Sequence, residues 1–411
     1  MSSGSMKRLV LALFGFVPLF SCAENWPCWR GPRGDGSSIE AKAPLHWSST
    51  NNIDWKTVIP GRGHGSPIVW GDRIFLLTTI EDQAQRCVVC VNRATGKIIW
   101  QRTVVTSPLE PKHKLNSFAS STPATDGQFV YVTFLDKDKM LVAAYDFAGN
   151  QKWLVRPGPF SSKHGFCSSP ALFKDKVIIN GDHDGDSYIV ALDRQTGKTL
   201  WKIERENHTR SYCTPLIRTL AGRTQMILSG NKCVASYDPN TGKRHWIIDG
   251  PTEQMVASMV YNEKADMIFY TGGFPQYHIL GIRPNGTGNV TKTHIAWLTT
   301  KGASYVPSPV SIGDYFVIVN EPGILTCHQA ADGNVLWSER LRGTYHPSLV
   351  TAGGLVYCLS DLGVMTIVKP GPTFEVVATN ELDEKFSASP AISDGRIYLR
   401  SDQHLFCIGA R

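Results

Sequence analysis

Three groups of residues in this chain have the types and spacing that chemistry requires. The first lies in "GDHDGDSYIVALD", residues 181–193, where Asp182, Asp184 and Asp186 alternate. Carboxylates at alternate positions open a calcium-binding loop, because a hard cation needs several oxygens from one short segment. Ser187 stands where such a loop needs glycine, and a strand pattern follows, so an acidic hairpin turn is the competing reading. The second group precedes a recurring Ser/Thr-Pro pair: His64, Phe118, His164, Arg210, Tyr212, Tyr305, Tyr345, His346 and Phe386. Aromatic and polar groups converging on one axis make a ligand pocket. His64, His164 and His346 stand at different offsets from their Pro markers, which argues against a shared metal. The third is "CVVC", residues 87–90. On a strand Cys87 and Cys90 face opposite sides, and Val91 occupies the place where a c-type haem site needs His. No nucleophile elbow, P-loop or zinc signature accompanies them.

The elements that must position these groups are repeats. "VNRATGKIIW", "YDFAGNQKW", "LDRQTGKTLW", "YDPNTGKRHW" and "HQAADGNVLW" end at Trp100, Trp153, Trp201, Trp246 and Trp337, and a looser copy ends at Trp297. Upstream of each stands a marker such as Ser66-Pro67, Thr122-Pro123, Ser169-Pro170, Thr214-Pro215, Ser308-Pro309 or Ser389-Pro390, with degenerate forms at 257–259 and 346–348. The unit is roughly 40–50 residues, the length of a propeller blade. It reads as four strands, for example "SPALF", "KVIIN", "SYIVALD" and "TLWKIE". Pro suits a strand's first residue, where its missing N–H breaks no ladder bond. Thr-Gly supplies the positive φ of a tight hairpin.

The last unit, "SASPAISDGRIYLRSDQHLFCIGAR", ends after three strands, and "NIDWKTVIP" near the N-terminus supplies a fourth with Trp55 at the Trp position. The prediction is an all-β, eight-bladed β-propeller of four-stranded antiparallel blades, its last blade closed by an N-terminal strand. Closure of this kind removes sheet edges. Two residues before the Asp position stands a small residue, Cys90, Ala144, Ala191, Ser236, Gly281, Cys327 or Cys407. Trp55, Trp100, Trp153, Trp201, Trp246, Trp297 and Trp337 are then docking residues between neighbouring blades. Ala191 leaves space, and Asp193 with Thr196 and Gly197 forms the turn. The Cys at such positions act as small buried hydrophobes.

Of 411 residues, 42% are hydrophobic and 19% charged, enough for a large core. The net charge of +7 is scattered rather than striped, which excludes a nucleic-acid partner. Lys7 and Arg8, the apolar run 9–20 and "SCAEN" describe a secretory signal peptide. The expected division is a signal peptide over 1–23, an extension over 24–49 and the propeller over 50–411. Leu19-Phe20-Ser21-Cys22 also reads as an imperfect lipobox, which would put a lipid anchor on Cys22. The expected location is the periplasm or cell envelope, soluble or lipid-anchored, as a monomer.

Residues 191–201, "ALDRQTGKTLW", match the docking pattern A-x-D-x-x-T-G-x-x-x-W at every fixed position. The chain therefore resembles the PQQ-like, or quinoprotein alcohol dehydrogenase-like, β-propeller repeat family. The head "NWPCWRGPRGDG", residues 25–36, resembles the opening of secreted bacterial PQQ-like proteins, which marks membership rather than activity. The resemblance implies one of two branches. One comprises dehydrogenases with pyrroloquinoline quinone (PQQ) and calcium; the other is non-catalytic and includes BamB, a lipoprotein of outer-membrane assembly. The dehydrogenase branch implies an adjacent Cys pair that this sequence lacks, and no catalytic Asp or calcium ligand is carried over. The expectation is an exported binding or scaffold propeller without catalysis or cofactor, holding an envelope protein, small molecule or glycan at the channel mouth. A PQQ- and calcium-dependent oxidoreductase of alcohols or sugars and a carbohydrate-recognition module are the alternatives.

Overall fold

Short apolar runs cut by Gly-Asp and Thr-Gly turns leave the backbone one economical solution, a series of antiparallel hairpins. The computed structural model describes residues 24–230, 232–250 and 252–409. The predicted signal peptide and the Cys22 lipobox lie outside these residues. Eight sheets form, each with its first strand paired to the second, second to third and third to fourth. Blade 3 is typical: Ala171–Phe173, Lys176–Gly181, Tyr188–Asp193 and Thr199–Glu204. The described helix is a 3-10 turn at Glu81–Gln83.

Each blade carries one row of facing residues from axis to rim. In blade 3 the row is Ala171, Ile178, Ala191 and Trp201. In blade 8 it is Ala391, Tyr398, Cys407 and Trp55. The register shifts beside the third-strand member in both blades. A bulge there bends the rim strand and re-aims its side chain. Ile53–Val58 pairs antiparallel with His404–Gly409, so the N-terminal strand completes the last blade.

The core lies between blades rather than within one. Seven buried clusters each join side chains of neighbouring blades, and the largest runs through blades 7, 8 and 1. Blade 7 departs from the row, with Ile367 facing Ala378 where the others place a small residue opposite Trp. Trp47, buried, packs in the cluster that contains Ala378, and Asn380 of that rim strand holds the Trp47 N–H and Leu45 carbonyl. Blade 4 gains a fifth strand, Gly288–Asn289, parallel to Arg244–Asp249.

Residues 24–47 run across one end of the channel, against the first strands and markers of several blades. Trp26 bridges to Val69 of blade 1, and Thr125 of blade 2 donates to the Pro27 carbonyl. Arg218 of blade 4 pairs with Asp35 at 2.8 Å. Arg30 is buried and donates to the carbonyls of Ser308 and Leu349 at 3.3 Å each. Ser37 bridges to Thr351 of blade 7. This head closes one end of the ring.

Candidate functional site

In six of the eight blades, among the described residues, the Ser/Thr of the marker ties its blade to the next. The Ser66 N–H donates to Thr122 Oγ1 and the Thr122 N–H to Ser169 Oγ, both at 2.9 Å. The pattern resumes from Ser258 to Ser308 and Ser308 to Ser348 at 2.9 Å, and from Ser348 to Ser389 at 2.8 Å. Ser389 returns to Ser66 at 3.0 Å. These bonds form a belt of hydroxyls around the channel. Sequence reasoning found the Ser/Thr-Pro pairs but read only the proline; the recurring hydroxyl ahead of it was the signal of the belt.

Inside the belt lies a cavity of about 780 Å³. Trp29 of the head lines its closed end and donates its indole N–H to Ser258 Oγ at 2.9 Å. At the open end stand His64, His164, Tyr212, Tyr305 and His346 from the expected set, joined by His113, Tyr277, Cys167 and Glu321. Cys167 stands two residues before Ser169, as His64 does before Ser66 and Tyr212 before Thr214, a repeat signal that sequence reasoning missed; nothing in the repeat marks His113, Tyr277 or Glu321, which sit in loops of irregular length.

Most of these groups are fixed by hydrogen bonds. Tyr212 OH pairs with Ser162 Oγ at 2.8 Å. Tyr305 OH donates to Gln254 Oε1 at 2.9 Å. Glu321 Oε1 accepts the backbone N–H groups of Tyr305 and Val306 at 2.9 and 2.6 Å. His346 Nδ1 lies 2.6 Å from Asp361 Oδ2, and that hydrogen bond holds the imidazole above its ordinary value. Burial pushes His64 down to about 4 and lowers His164, which Arg210 lowers further. Burial raises Tyr305 and Cys167, each to about 12.

Four of the expected mouth residues lie elsewhere. Phe386 is 1% exposed and packs against Phe406. Tyr345 is fully buried in the cluster between blades 6 and 7. Phe118 lies beneath the Lys112 ammonium, 4.9 Å from its ring centre. Arg210 pairs with Asp184. An aromatic ahead of a strand is as useful to the interblade core as to the channel, and only packing separates the two.

The three alternating carboxylates diverge rather than converge. Asp182 is fully buried against Arg205, at 2.9 and 3.3 Å, and accepts Ser211 Oγ at 2.7 Å. Asp184 holds Arg210, and the Asp186 side chain is 96% exposed. The calcium-loop reading therefore has no common centre; among the described residues no trio of His, Cys, Asp or Glu is grouped to hold a metal. The segment is an acidic hairpin whose first carboxylate locks blade 3 to blade 4 through Arg205, which also donates to the Tyr237 hydroxyl.

The rim tryptophans dock forward. Trp153 donates to the Arg194 carbonyl at 3.0 Å, and a Cβ on Gly197 would stand 2.7 Å from its ring. Trp55, Trp100, Trp201, Trp297 and Trp337 likewise donate to carbonyls of the next blade, those of Arg93, Phe147, Pro239, Ala330 and Gly371. Trp246 differs. Its N–H goes to Gln225 Oε1 of its own blade at 2.8 Å, beneath the extra parallel strand. Gly197 and Trp201 of one motif thus serve different interfaces, Gly197 receiving Trp153 and Trp201 reaching blade 4. Asp193 Oδ1 accepts the Thr196 N–H and hydroxyl at 2.8 and 2.7 Å, holding the turn.

The cavity does not match the donor set of a quinone site with calcium. Calcium takes six to eight oxygens, several of them carboxylate. Among the described lining residues Glu321 is the one carboxylate, and its Oε1 already accepts two amides. Cys167 is the one lining cysteine, where the resemblance implies a pair.

The family described as outer membrane protein assembly factor BamB matches residues 84–263 and 285–369. A lanthanide-dependent methanol dehydrogenase of Methylacidiphilum fumariolicum (strain SolV) is 29% identical over 168 residues, 37% of this chain and 24% of that protein. An uncharacterized protein of Rickettsia conorii is 21% identical over 191 residues, 44% of this chain and 41% of that protein. The matches span less than half the length of these curated relatives. Among solved structures, BamB from Moraxella catarrhalis superposes with a TM-score of 0.61 at 15% identity, covering 86% of this chain and 98% of that one. Quinohemoprotein alcohol dehydrogenase from Comamonas testosteroni gives a TM-score of 0.66 at 13% identity, covering 94% and 81%. At such identities the likeness is one of fold.

Proposed function

The chain belongs to the family described as outer membrane protein assembly factor BamB, and from that premise we propose that it is an exported, non-catalytic binding propeller of the cell envelope. Its ligand or partner enters the open mouth of the channel. The observation that carries the reading is the blind cavity: about 780 Å³, closed by Trp29 and ringed by aromatic and hydroxyl side chains. Pockets of roughly 300–1,000 Å³ with a few placed polar groups are where proteins take small ligands or anchor side chains.

The chemistry of the walls supports binding over turnover. Glu321, Tyr212 and Tyr305 already serve structural hydrogen bonds. Fold alone chooses no activity, because function is carried by the site.

Two measurements test the reading. Purified protein with added PQQ and calcium should reduce no dye on alcohols or sugars; stoichiometric quinone binding with turnover would overturn it. A photo-crosslinker at Tyr277, on the mouth, should trap a ligand or partner in the envelope. The same group at Leu200, exposed on an outer strand, should trap none.

A further inference from the structure

The belt leaves hydrogen-bonding capacity unspent. Ser169, Ser308, Ser348 and Ser389 are each at most 5% exposed and line the cavity. Each hydroxyl oxygen accepts one N–H from the neighbouring blade. A serine hydroxyl offers one O–H donor and two lone pairs. The belt uses one lone pair, and among the described residues no protein acceptor takes these four O–H groups. Four buried donors, each with a second lone pair, therefore stand around one space. Buried donors are nearly always satisfied, by protein, ligand or water, so these four are places where a polar ligand can replace solvent.

We propose that this ligand is a neutral carbohydrate, a monosaccharide or short oligosaccharide. The inference rests on the binding reading above and names its ligand class. Sugar hydroxyls both donate and accept, which answers a ring of groups that can do either. The walls offer an anionic ligand little to pair with, since Arg210, which lies near enough to lower His164, is itself paired with Asp184. Among the described lining residues there is no Lys or Arg, Glu321 Oε1 is held by two amides, and the His346 charge is answered by Asp361. Burying an unpaired charge there is strongly unfavourable. The apolar C–H faces of a sugar ring need flat partners, and Trp29 at the closed end with Tyr277 and Tyr305 at the mouth supplies them. The two tyrosine rings stand edge to face, 6.2 Å apart.

The test titrates the full chain with glucose, maltose and cellobiose, and with glucuronate and glucose 6-phosphate, read by calorimetry and tryptophan fluorescence. At least one neutral sugar should saturate at micromolar to millimolar concentration, with each acid at least about tenfold weaker. Loss of one neutral hydrogen bond is worth roughly fivefold, so Ser348→Ala, titrated where the variant is still folded because it also orphans the Ser308 N–H, should weaken binding by about that factor. Tyr277→Ala, at an exposed side chain outside the belt, should weaken it similarly with an unchanged melting temperature. No binding by any neutral sugar at tens of millimolar overturns the proposal. So does tighter binding of an acid, or binding that Tyr277→Ala leaves intact. If the Tyr277 crosslinker traps a polypeptide while no sugar binds, this inference falls alone; if it traps nothing and no sugar binds, the binding reading falls with it.

Discussion

The backbone N–H of Ser389 donates to the hydroxyl of Ser66 at 3.0 Å, so the last blade hangs on the first through the innermost layer of the ring. The outer layer closes the same seam independently, by Ile53–Val58 on His404–Gly409. Two latches at different radii resist opening in different directions, and each has its own test.

Ser66→Ala should destabilise the fold by about 1–3 kcal/mol, because it orphans the buried Ser389 N–H. Ser66→Thr should cost far less, since Thr122 fills the same place in blade 2. Denaturant midpoints of the two variants check this; equal midpoints would remove the belt as a stabilising element.

Gly197→Ala should cost about 2 kcal/mol or more. Its φ is +73°, where a side chain is strained, and the added Cβ would stand 2.7 Å from Trp153. Trp153→Ala should cost about 3–5 kcal/mol through the cavity it leaves. The residues share one contact, so the double variant should cost less than the sum. Thermal unfolding of the four-member cycle provides the measure; strict additivity would sink the Trp-on-Gly account.

Arg30→Met should destabilise by about 3 kcal/mol and loosen the head. The guanidinium is buried among carbonyls of Ser308, Leu349 and Asp35, which methionine leaves unsatisfied. Burial, opposed by the nearby Asp35, lowers Arg30 to about 10, and the carbonyls are what make a buried cation tolerable. Faster hydrogen exchange at Trp26 and Thr351 should accompany the loss, and unchanged protection there would refute the role of the head as a plug.

Two mouth histidines should respond to pH in opposite directions. His346 is raised by Asp361, so the folded chain holds its proton more tightly. Its stabilisation is complete below the ordinary imidazole value and disappears as pH rises through the folded value. Burial lowers His64 to about 4, from an ordinary 6.5. As pH falls through that window the unfolded chain gains a proton that the folded chain refuses, and stability drops until about 4. Imidazole proton resonances should titrate in that order, His346 highest. Asp361→Asn should bring His346 down, and His64→Phe should flatten the acid limb of the stability curve. A His64 resonance titrating near 6.5 would contradict its burial.

The repeat, its four-strand grammar and the N-terminal strand that completes the last blade were legible in the sequence. Turn chemistry, strand alternation and the Trp position are all local, set within each unit of about 45 residues. The mouth was legible only in part. His64, His164, Tyr212, Tyr305 and His346 reach the cavity, whereas Tyr345 and Phe386 turn into the interblade core. Tyr305, Tyr345 and Phe386 all stand three residues ahead of their marker serine, yet of the three Tyr305 lines the cavity, so the choice between channel and core is made by which neighbour leaves room.

The sequence by itself determined the ring, because the strands and turns of each blade are written in residues close along the chain, and the one strand missing from the last blade is recognisable near the N-terminus. Tertiary structure alone decided which surfaces the ring brings together. Trp29 meets Ser258 across 229 positions, and Asp182 meets Arg205 rather than a metal. Such partners are chosen by closure of the propeller and by the cost of leaving a buried charge or donor unpaired, and neither quantity exists until the blades are side by side.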